Sequence, residues 1–368
     1  MPSSTQHLIR HLAETRKVLW INSIGLRRPT LSLRDFKRCI NKLTCRSAQQ
    51  MQSQPLKESL QDNLQILAPR TLPAPRNKFT RWLAVKLLLL QIRPKVKKQQ
   101  LNSPLLWTSL PTAVDMAGHL NESALIYYCG DDFSGLAGVD HHTVALREQE
   151  LLIKADLILA SSPALIARSE AQKTQFLPHG VDYDLFTTPV PRATDLPNDG
   201  RPIAGFYGSI SEWLDIQLLT DTIAQMRNWH FVFIGTAVVD ISSLQAFDNV
   251  TFLGPRSHQQ LPAYSQHWTA SLLPFVDNAQ IRACNPLKLS EYLATGRPII
   301  STSFPAVEAL PHPGLVQIAN SSSAMVCALR ASEHVSQLPD FTGALQSIVR
   351  DHSWKARATQ VDSWLEAL

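Results

Sequence analysis

Lys288 and Glu291 stand three residues apart in the run Asn285-Pro286-Leu287-Lys288-Leu289-Ser290-Glu291-Tyr292-Leu293. On a helix, that spacing brings a cation and a carboxylate to nearly the same place. Beside a helix N-terminus, such a pair can hold a ligand that carries both phosphate and hydroxyl groups. The same spacing also serves a solvated ion pair on a surface helix, so the other residues gathered with it decide the chemistry. Asp131 and Asp132 follow the apolar run Leu125–Tyr128 and could act as base or hydroxyl acceptor. Gly208-Ser209 follows Ile203–Tyr207, and a Gly-Ser turn opening a helix exposes N–H groups that can hold a diphosphate. His179, in Leu177-Pro178-His179-Gly180-Val181-Asp182, is of a type more often structural than catalytic at such a position.

The elements that would position these groups are well punctuated. Asn285 is a good N-cap and Pro286 suits the first helical position. Leu289, Tyr292 and Leu293 share a face, Gly296 suits the left-handed position after the helix, and Ile299-Ile300 begins a buried strand. From Leu105 onward the chain alternates short apolar runs with helical segments, the pattern of parallel, doubly wound sheets. In such sheets ligands bind at the carboxyl ends of the strands, which selects Asp131, Asp132, Gly208, Ser209, Gly235, Gly254-Pro255-Arg256 and the approach to Asn285. The Pro- and Thr-rich stretch 187–201 is the clearest domain boundary. The expected organisation is an N-terminal domain over 1–186, a linker over 187–201, a second domain over 202–350 and a terminal helix over 351–368.

Near the start, Ser4 or Thr5 is expected to cap a helix bearing Leu8, Ile9 and Leu12, which feeds a strand at Val18–Ile21. A strand with a glycine-rich turn would normally precede that helix, and its absence is an expectation of the reading. A second helix is expected over 34–43. A third is expected over Lys78–Ile92, with Trp82, Leu83, Leu87 and Leu90 opposed to Arg81 and Lys86, and with Pro94 ending it. It resembles a basic, surface-seeking helix, and an ordinary helix packed on a sheet fits its sequence equally well.

Composition narrows the partners. The first 100 residues hold 20 Lys and Arg against 4 Asp and Glu, whereas the remainder hold 15 against 26. That asymmetry points one domain at an anionic partner. An anionic membrane surface met through residues 1–100 ranks ahead of nucleic acid, because no aromatic stacking pattern accompanies the charge. The five cysteines (Cys39, Cys45, Cys129, Cys284 and Cys327) are scattered, with no CxxC pair and no zinc spacing, which fits a reducing compartment and no metal. No signal peptide and no apolar run of spanning length is visible, so a cytoplasmic protein, peripheral on the inner membrane face, is expected.

Five motifs occur in order: Tyr-Tyr-Cys-Gly-Asp-Asp-Phe (127–133), Lys-Ala-Asp-Leu (154–157), Leu-Pro-His-Gly-Val-Asp (177–182), Gly-Phe-Tyr-Gly-Ser-Ile (205–210) and Asn-Pro-Leu-Lys-Leu-Ser-Glu-Tyr-Leu-Ala-Thr-Gly-Arg-Pro (285–298). Together they resemble GT-B glycosyltransferases of family 4, the group 1 kind, and especially bacterial enzymes of capsule, teichuronic-acid and exopolysaccharide assembly. The resemblance implies two Rossmann-like α/β domains of parallel sheets facing a cleft, with the last helix crossing back to the first domain. It implies transfer of a sugar from a nucleotide-diphosphate donor to a glycan or lipid-linked acceptor, without a metal cofactor and with retention favoured. Carried over, Glu291 matches the second glutamate of an E-x7-E motif that holds the ribose hydroxyls. Gly208 and Ser209 match the diphosphate loop, Asn285 and Lys288 lie in the matching donor segment, and Asp131 or Asp132 falls near the transferred sugar. Two departures stand out: the first glutamate is replaced by Ala283, and no Arg/Lys pair follows Ser209, so Arg256, Arg282 or Lys288 must supply positive charge. The alternatives are a catalytically lapsed scaffold that binds anionic lipid or polymer, and a sugar-nucleotide epimerase. The epimerases' Gly-Thr-Arg-Pro-Glu signature is absent.

Overall fold

The computed structural model describes residues 3–22, 63–72, 75, 77–133, 141–312, 314–335, 338 and 340–368. The expected helix over 34–43, with Cys39 and Cys45, lies outside these residues. The chain forms two compact units, Pro2–Pro178 with Ala358–Leu368, and His179–Arg357.

In the N-terminal unit, α1 (Ser4–Leu12) leads to β1 (Val18–Ile21), which pairs in parallel with β2 (Leu64–Leu67). The cap of α1 is Ser3, not Ser4 or Thr5: Ser3 and Gln6 form a reciprocal capping box, which draws the helix start one residue back. After α2 (Lys78–Lys98) come β3 (Leu105–Thr108), β4 (Ala124–Cys129), α3 (His141–Lys154), β5 (Leu157–Ala160) and β6 (Thr174–Phe176). The four strands pair in chain order as a parallel sheet. All six residues of β4 are buried, which is why its sequence is continuously apolar instead of alternating.

Two features of α2 differ from expectation. Pro94 does not end it, and the helix runs on to Lys98. The carbonyl that loses a partner belongs to Leu90, an exposed residue where water can substitute, and this eases a proline near the last turns. The buried face is Ala84, Val85, Leu88, Leu89 and Ile92, whereas Trp82 and Leu90 are exposed. Arg81 fixes this orientation. It donates to Asp115 and to Glu150 (2.6 Å), and Asp115 also accepts from Arg147 on α3.

The C-terminal unit is built on a six-stranded parallel sheet in the order β12-β11-β10-β7-β8-β9. Its strands are β7 (Ile203–Tyr207), β8 (His230–Ile234), β9 (Val250–Phe252), β10 (Ala270–Leu273), β11 (Ile299–Ser301) and β12 (Val316–Ile318). The longer helices are α4 (Ile216–Gln225), α5 (Leu287–Thr295), α6 (Ser322–Val335) and α7 (Phe341–Val349); α8 (Trp354–Glu366) ends the chain. Strand order reverses between β7 and β10, which makes the carboxyl ends of those two strands the switch point where such sheets take ligands.

Gly208-Ser209 does not open a helix directly. Residues 210–215 are laced sideways instead: Ile210 donates to Thr236, Val238 to Ile210, Asp215 to Pro274 and Val276 to Trp213, all through backbone groups. The helix α4 begins only after Asp215, whose carboxylate caps Leu218 N–H at 2.8 Å. Similarly, α5 starts at Leu287 with Pro286 as N-cap, so Asn285 lies just outside it, and Gly296 closes it in the left-handed conformation.

The orientation of α2 is directly testable. Leu89→Ala, at a site 4% exposed, should cost about 2–5 kcal/mol, whereas Leu90→Ala, 74% exposed, should stay within ~0.5 kcal/mol. Urea-unfolding midpoints of the two variants check this, and the opposite order would reverse the assigned face.

Candidate functional site

The face of α5 that carries Lys288, Glu291 and Tyr292 grips the end of β7 residue by residue. Lys288 lies with its Nζ 5.6 Å from the Phe206 ring centre and its chain against Gly208. The Tyr207 hydroxyl donates to Glu291 Oε2 at 2.6 Å, and the Tyr207 N–H donates to the Tyr292 hydroxyl at 3.1 Å. The i, i+3, i+4 spacing puts all three on one stripe, and the stripe meets the last two residues of β7 and the glycine that follows.

Beyond Tyr207 the backbone turns sharply. Gly208 (φ +138°) and Gly235 (φ +144°) follow neighbouring strands in conformations that side chains strongly disfavour. The two approach so closely that a Cβ on Gly235 would overlap the Gly208 carbonyl oxygen. Gly208 donates its N–H to Ile234 at 2.8 Å and Gly235 donates to Gly254 at 3.0 Å, so the ends of β7, β8 and β9 form a stair of backbone groups. Among the described residues, neither the N–H nor the hydroxyl of Ser209 has a protein partner.

Lys288 supplies the charge beside this turn. Among the described residues no carboxylate stands within ion-pair distance of its Nζ. Burial lowers its pKa from the usual lysine value, against the opposing pull of the Glu291 charge. A half-buried ammonium and the N–H and hydroxyl of Ser209 at the switch point are groups of the kind that can hold an anion.

The other candidate cations are committed elsewhere. Arg256 donates to Asp195 at 2.6 Å and to the Tyr264 hydroxyl at 2.9 Å. Arg282 makes a two-pronged, exposed pair with Asp277 at 2.6 and 2.7 Å. Of the three cations expected to meet a diphosphate, only Lys288 adjoins the Gly208 turn.

Glu291 sits differently from a solvent-facing hydroxyl acceptor. It is 5% exposed, and its second oxygen, Oε1, meets His258 Nε2 at 2.8 Å. His258 is flanked in turn by Asp182, 3.4 Å from Nδ1. Burial opposes charge on His258, but the hydrogen bond and charge of Glu291, with Asp182 behind, outweigh it and raise the pKa. Sequence reasoning missed both His258 and Tyr207, because these partners lie 33 and 84 residues from Glu291. Ala283, at the position of the absent first glutamate, is buried at the end of the short helix Ala279–Ala283.

In the N-terminal unit, Asp131 and Asp132 follow β4 as expected but differ from each other. Asp132 accepts from Arg168 at 2.6 Å, and Arg168 also holds Glu148 (2.8 Å), whose other oxygen accepts from the buried Tyr127 hydroxyl at 2.8 Å. Asp131 keeps a face open to solvent while protein crowds it elsewhere, and that desolvation raises its pKa. In the C-terminal unit, His179 packs against Trp354, with ring centres 6.4 Å apart, and burial pushes it down to about 4. It is a neutral structural histidine at pH 7.

Two outcomes follow. Gly235→Ala should force the Gly208 turn to move and cost ~1–3 kcal/mol in stability, which denaturant titration reads. The raised pKa of His258 means that its contribution is complete below the unfolded-state value of about 6.5 and is lost as pH rises through the higher folded value. The stability difference between wild type and His258→Gln should therefore shrink from pH 6 to pH 9 (about the window set by a raised histidine). A constant difference in urea unfolding across that range would contradict the charged pairing.

Residues 201–332 match the family model for glycosyl transferases group 1. TuaH of Bacillus subtilis (strain 168), which carries an inferred assignment as a teichuronic acid biosynthesis glycosyltransferase, is 25% identical over 228 residues. That match covers 56% of this chain and 57% of the relative's own length. Among solved structures, Anabaena HepE in complex with UDP and glucose superposes with a TM-score of 0.66 at 13% identity, covering 96% of this chain and 100% of that one. The sucrose-phosphate synthase of Thermosynechococcus elongatus gives 0.65 at 16% identity, covering 96% and 98%. The chain thus has the GT-B fold, and its residues 201–332 are similar to the glycosyl transferases group 1 family.

Proposed function

We propose that this chain is a glycosyltransferase that moves a sugar from a nucleotide-diphosphate donor to a glycan or lipid-linked acceptor in cell-surface polysaccharide synthesis. The observation that carries this reading is the Lys288 ammonium, without an ion-pair partner among the described residues, beside the Gly208–Ser209 turn at the switch point of the C-terminal sheet. A sugar nucleotide leaves as a nucleoside diphosphate, so the groups that matter stabilise negative charge developing on the bridging oxygen. Lys288 Nζ, Ser209 N–H and Ser209 Oγ are donors of that kind, and together they can do this without a metal ion. The matching domain over 201–332 supports placing the donor in this unit, and the likeness to TuaH supports an envelope polysaccharide as the product.

Asp131, open to solvent and with a raised pKa, is the better candidate of the two acids for meeting the acceptor hydroxyl or transferred sugar, since Asp132 is held by Arg168. Glu291 serves the donor by anchoring α5 through Tyr207 and His258, and reaches the ribose only if one of its oxygens shares a further hydrogen bond. The transfer is of a hexose, with retention of configuration, at the cytoplasmic face of a membrane. Among the described residues no helix is long and apolar enough to cross a membrane.

Titration with UDP-, GDP- and dTDP-sugars, with slow donor hydrolysis as a second readout, tests the reading. One of the nucleotides should bind, and Lys288→Ala should weaken it about 10- to 100-fold, the range of one lost charge-assisted hydrogen bond. No binding and no hydrolysis with any of them would favour the lapsed scaffold instead.

A further inference from the structure

One face of α2 is left over from the packing just described. Phe79, Trp82 and Leu90 are 68%, 55% and 74% exposed, although they are among the most apolar side chains of the helix. With Lys86, Arg93 and Lys97, all exposed, they fall at spacings of three and four and make one stripe along the helix. The Phe79 and Trp82 rings stack 6.1 Å apart, and Lys86 Nζ lies 5.8 Å from the Trp82 ring centre. Between Lys78 and Lys98 there are seven Lys and Arg and no Asp or Glu. Of the seven, Arg81 turns inward to Asp115 and Glu150, and Arg93 donates one N–H to the His119 carbonyl at 3.2 Å while staying exposed. At its far end the stripe meets an open groove of about 340 Å³, where Arg93, Lys97 and His119 stand beside Val96 and Leu101.

We propose that this stripe of α2 docks on an anionic lipid leaflet, with the helix lying in the plane of the membrane. The inference deepens the membrane part of the proposed function and rests on that part alone. Aromatic and leucine side chains enter the interfacial layer, while Lys86, Arg93 and Lys97 reach headgroup phosphates, with the groove as the place for one of them. A stripe so basic fits a leaflet better than a second copy of itself, because an isologous contact would set cations against cations. Arg81 and the buried face of Ala84, Val85, Leu88, Leu89 and Ile92 hold the helix rigid, so docking needs no rearrangement of the unit.

The test is co-sedimentation of the full chain with vesicles of phosphatidylcholine, alone or mixed with phosphatidylglycerol. Binding should require the anionic lipid and weaken at high salt. Trp82→Ser with Leu90→Ser, and separately Lys86→Glu with Arg93→Glu and Lys97→Glu, should each reduce it at least ~10-fold with urea midpoints unchanged. Wild type that ignores the vesicles, or variants that bind as well as wild type, would overturn the proposal. So would a self-association that Trp82→Ser with Leu90→Ser abolishes while no vesicle binding is found. Nucleotide binding without vesicles is measured on the same samples: its loss throughout would remove the donor reading and leave the docking result standing, and the reverse pattern would do the opposite.

Discussion

The close approach of the Gly208 carbonyl to Gly235 is the constraint on which the C-terminal unit's site depends. Two neighbouring parallel strands end at the same level, and the chain must leave both in left-handed conformations without side chains in between. Among the described residues that turn leaves Ser209 with unused donors, and Lys288 lies over it. The helix α5 can then sit low enough for Tyr207 to reach both Glu291 and Tyr292. A bulkier turn would lift α5 and separate the lysine from the loop.

The two units share a device beneath their strand ends. In each, a strand tyrosine donates to a buried glutamate, the glutamate meets a basic group, and the basic group meets an aspartate. In one unit these are Tyr127, Glu148, Arg168 and Asp132; in the other they are Tyr207, Glu291, His258 and Asp182. A buried carboxylate without partners would be costly, so each chain of contacts keeps an acid inside the protein. The basic members differ in kind. Arginine stays charged at any physiological pH, whereas histidine does not.

What could be read from the residues follows from what is local. The strands of both sheets were legible because burial on two faces makes them continuously apolar, as in Ala124–Cys129 and Ile203–Tyr207. The left-handed end at Gly296 was legible because that conformation excludes nearly every other residue. The face of α2 was not, since Leu83, Leu87 and Leu90 are as apolar as Val85, Leu88 and Leu89, and the choice was made by Arg81 reaching Asp115 and Glu150 from afar. For the candidate site, Gly208 and Ser209 were singled out by their position after a strand, and Lys288 by its spacing from Glu291 on a helix. The burial of Glu291 and the capture of Arg256 by Asp195 were not, because each depends on a partner more than one element away.

The burial of Lys288 has a consequence for the whole C-terminal unit. Among the described residues no carboxylate pairs directly with this partly desolvated ammonium, and the charge of Glu291 offsets only part of the penalty, which the unit bears when it folds. An anion that settles on the Gly208–Ser209 turn relieves the penalty and acts as the missing half of an ion pair. If the proposed donor binds there, its diphosphate adds to folding stability as well as to affinity, because it lifts a desolvation penalty that the folded unit already bears.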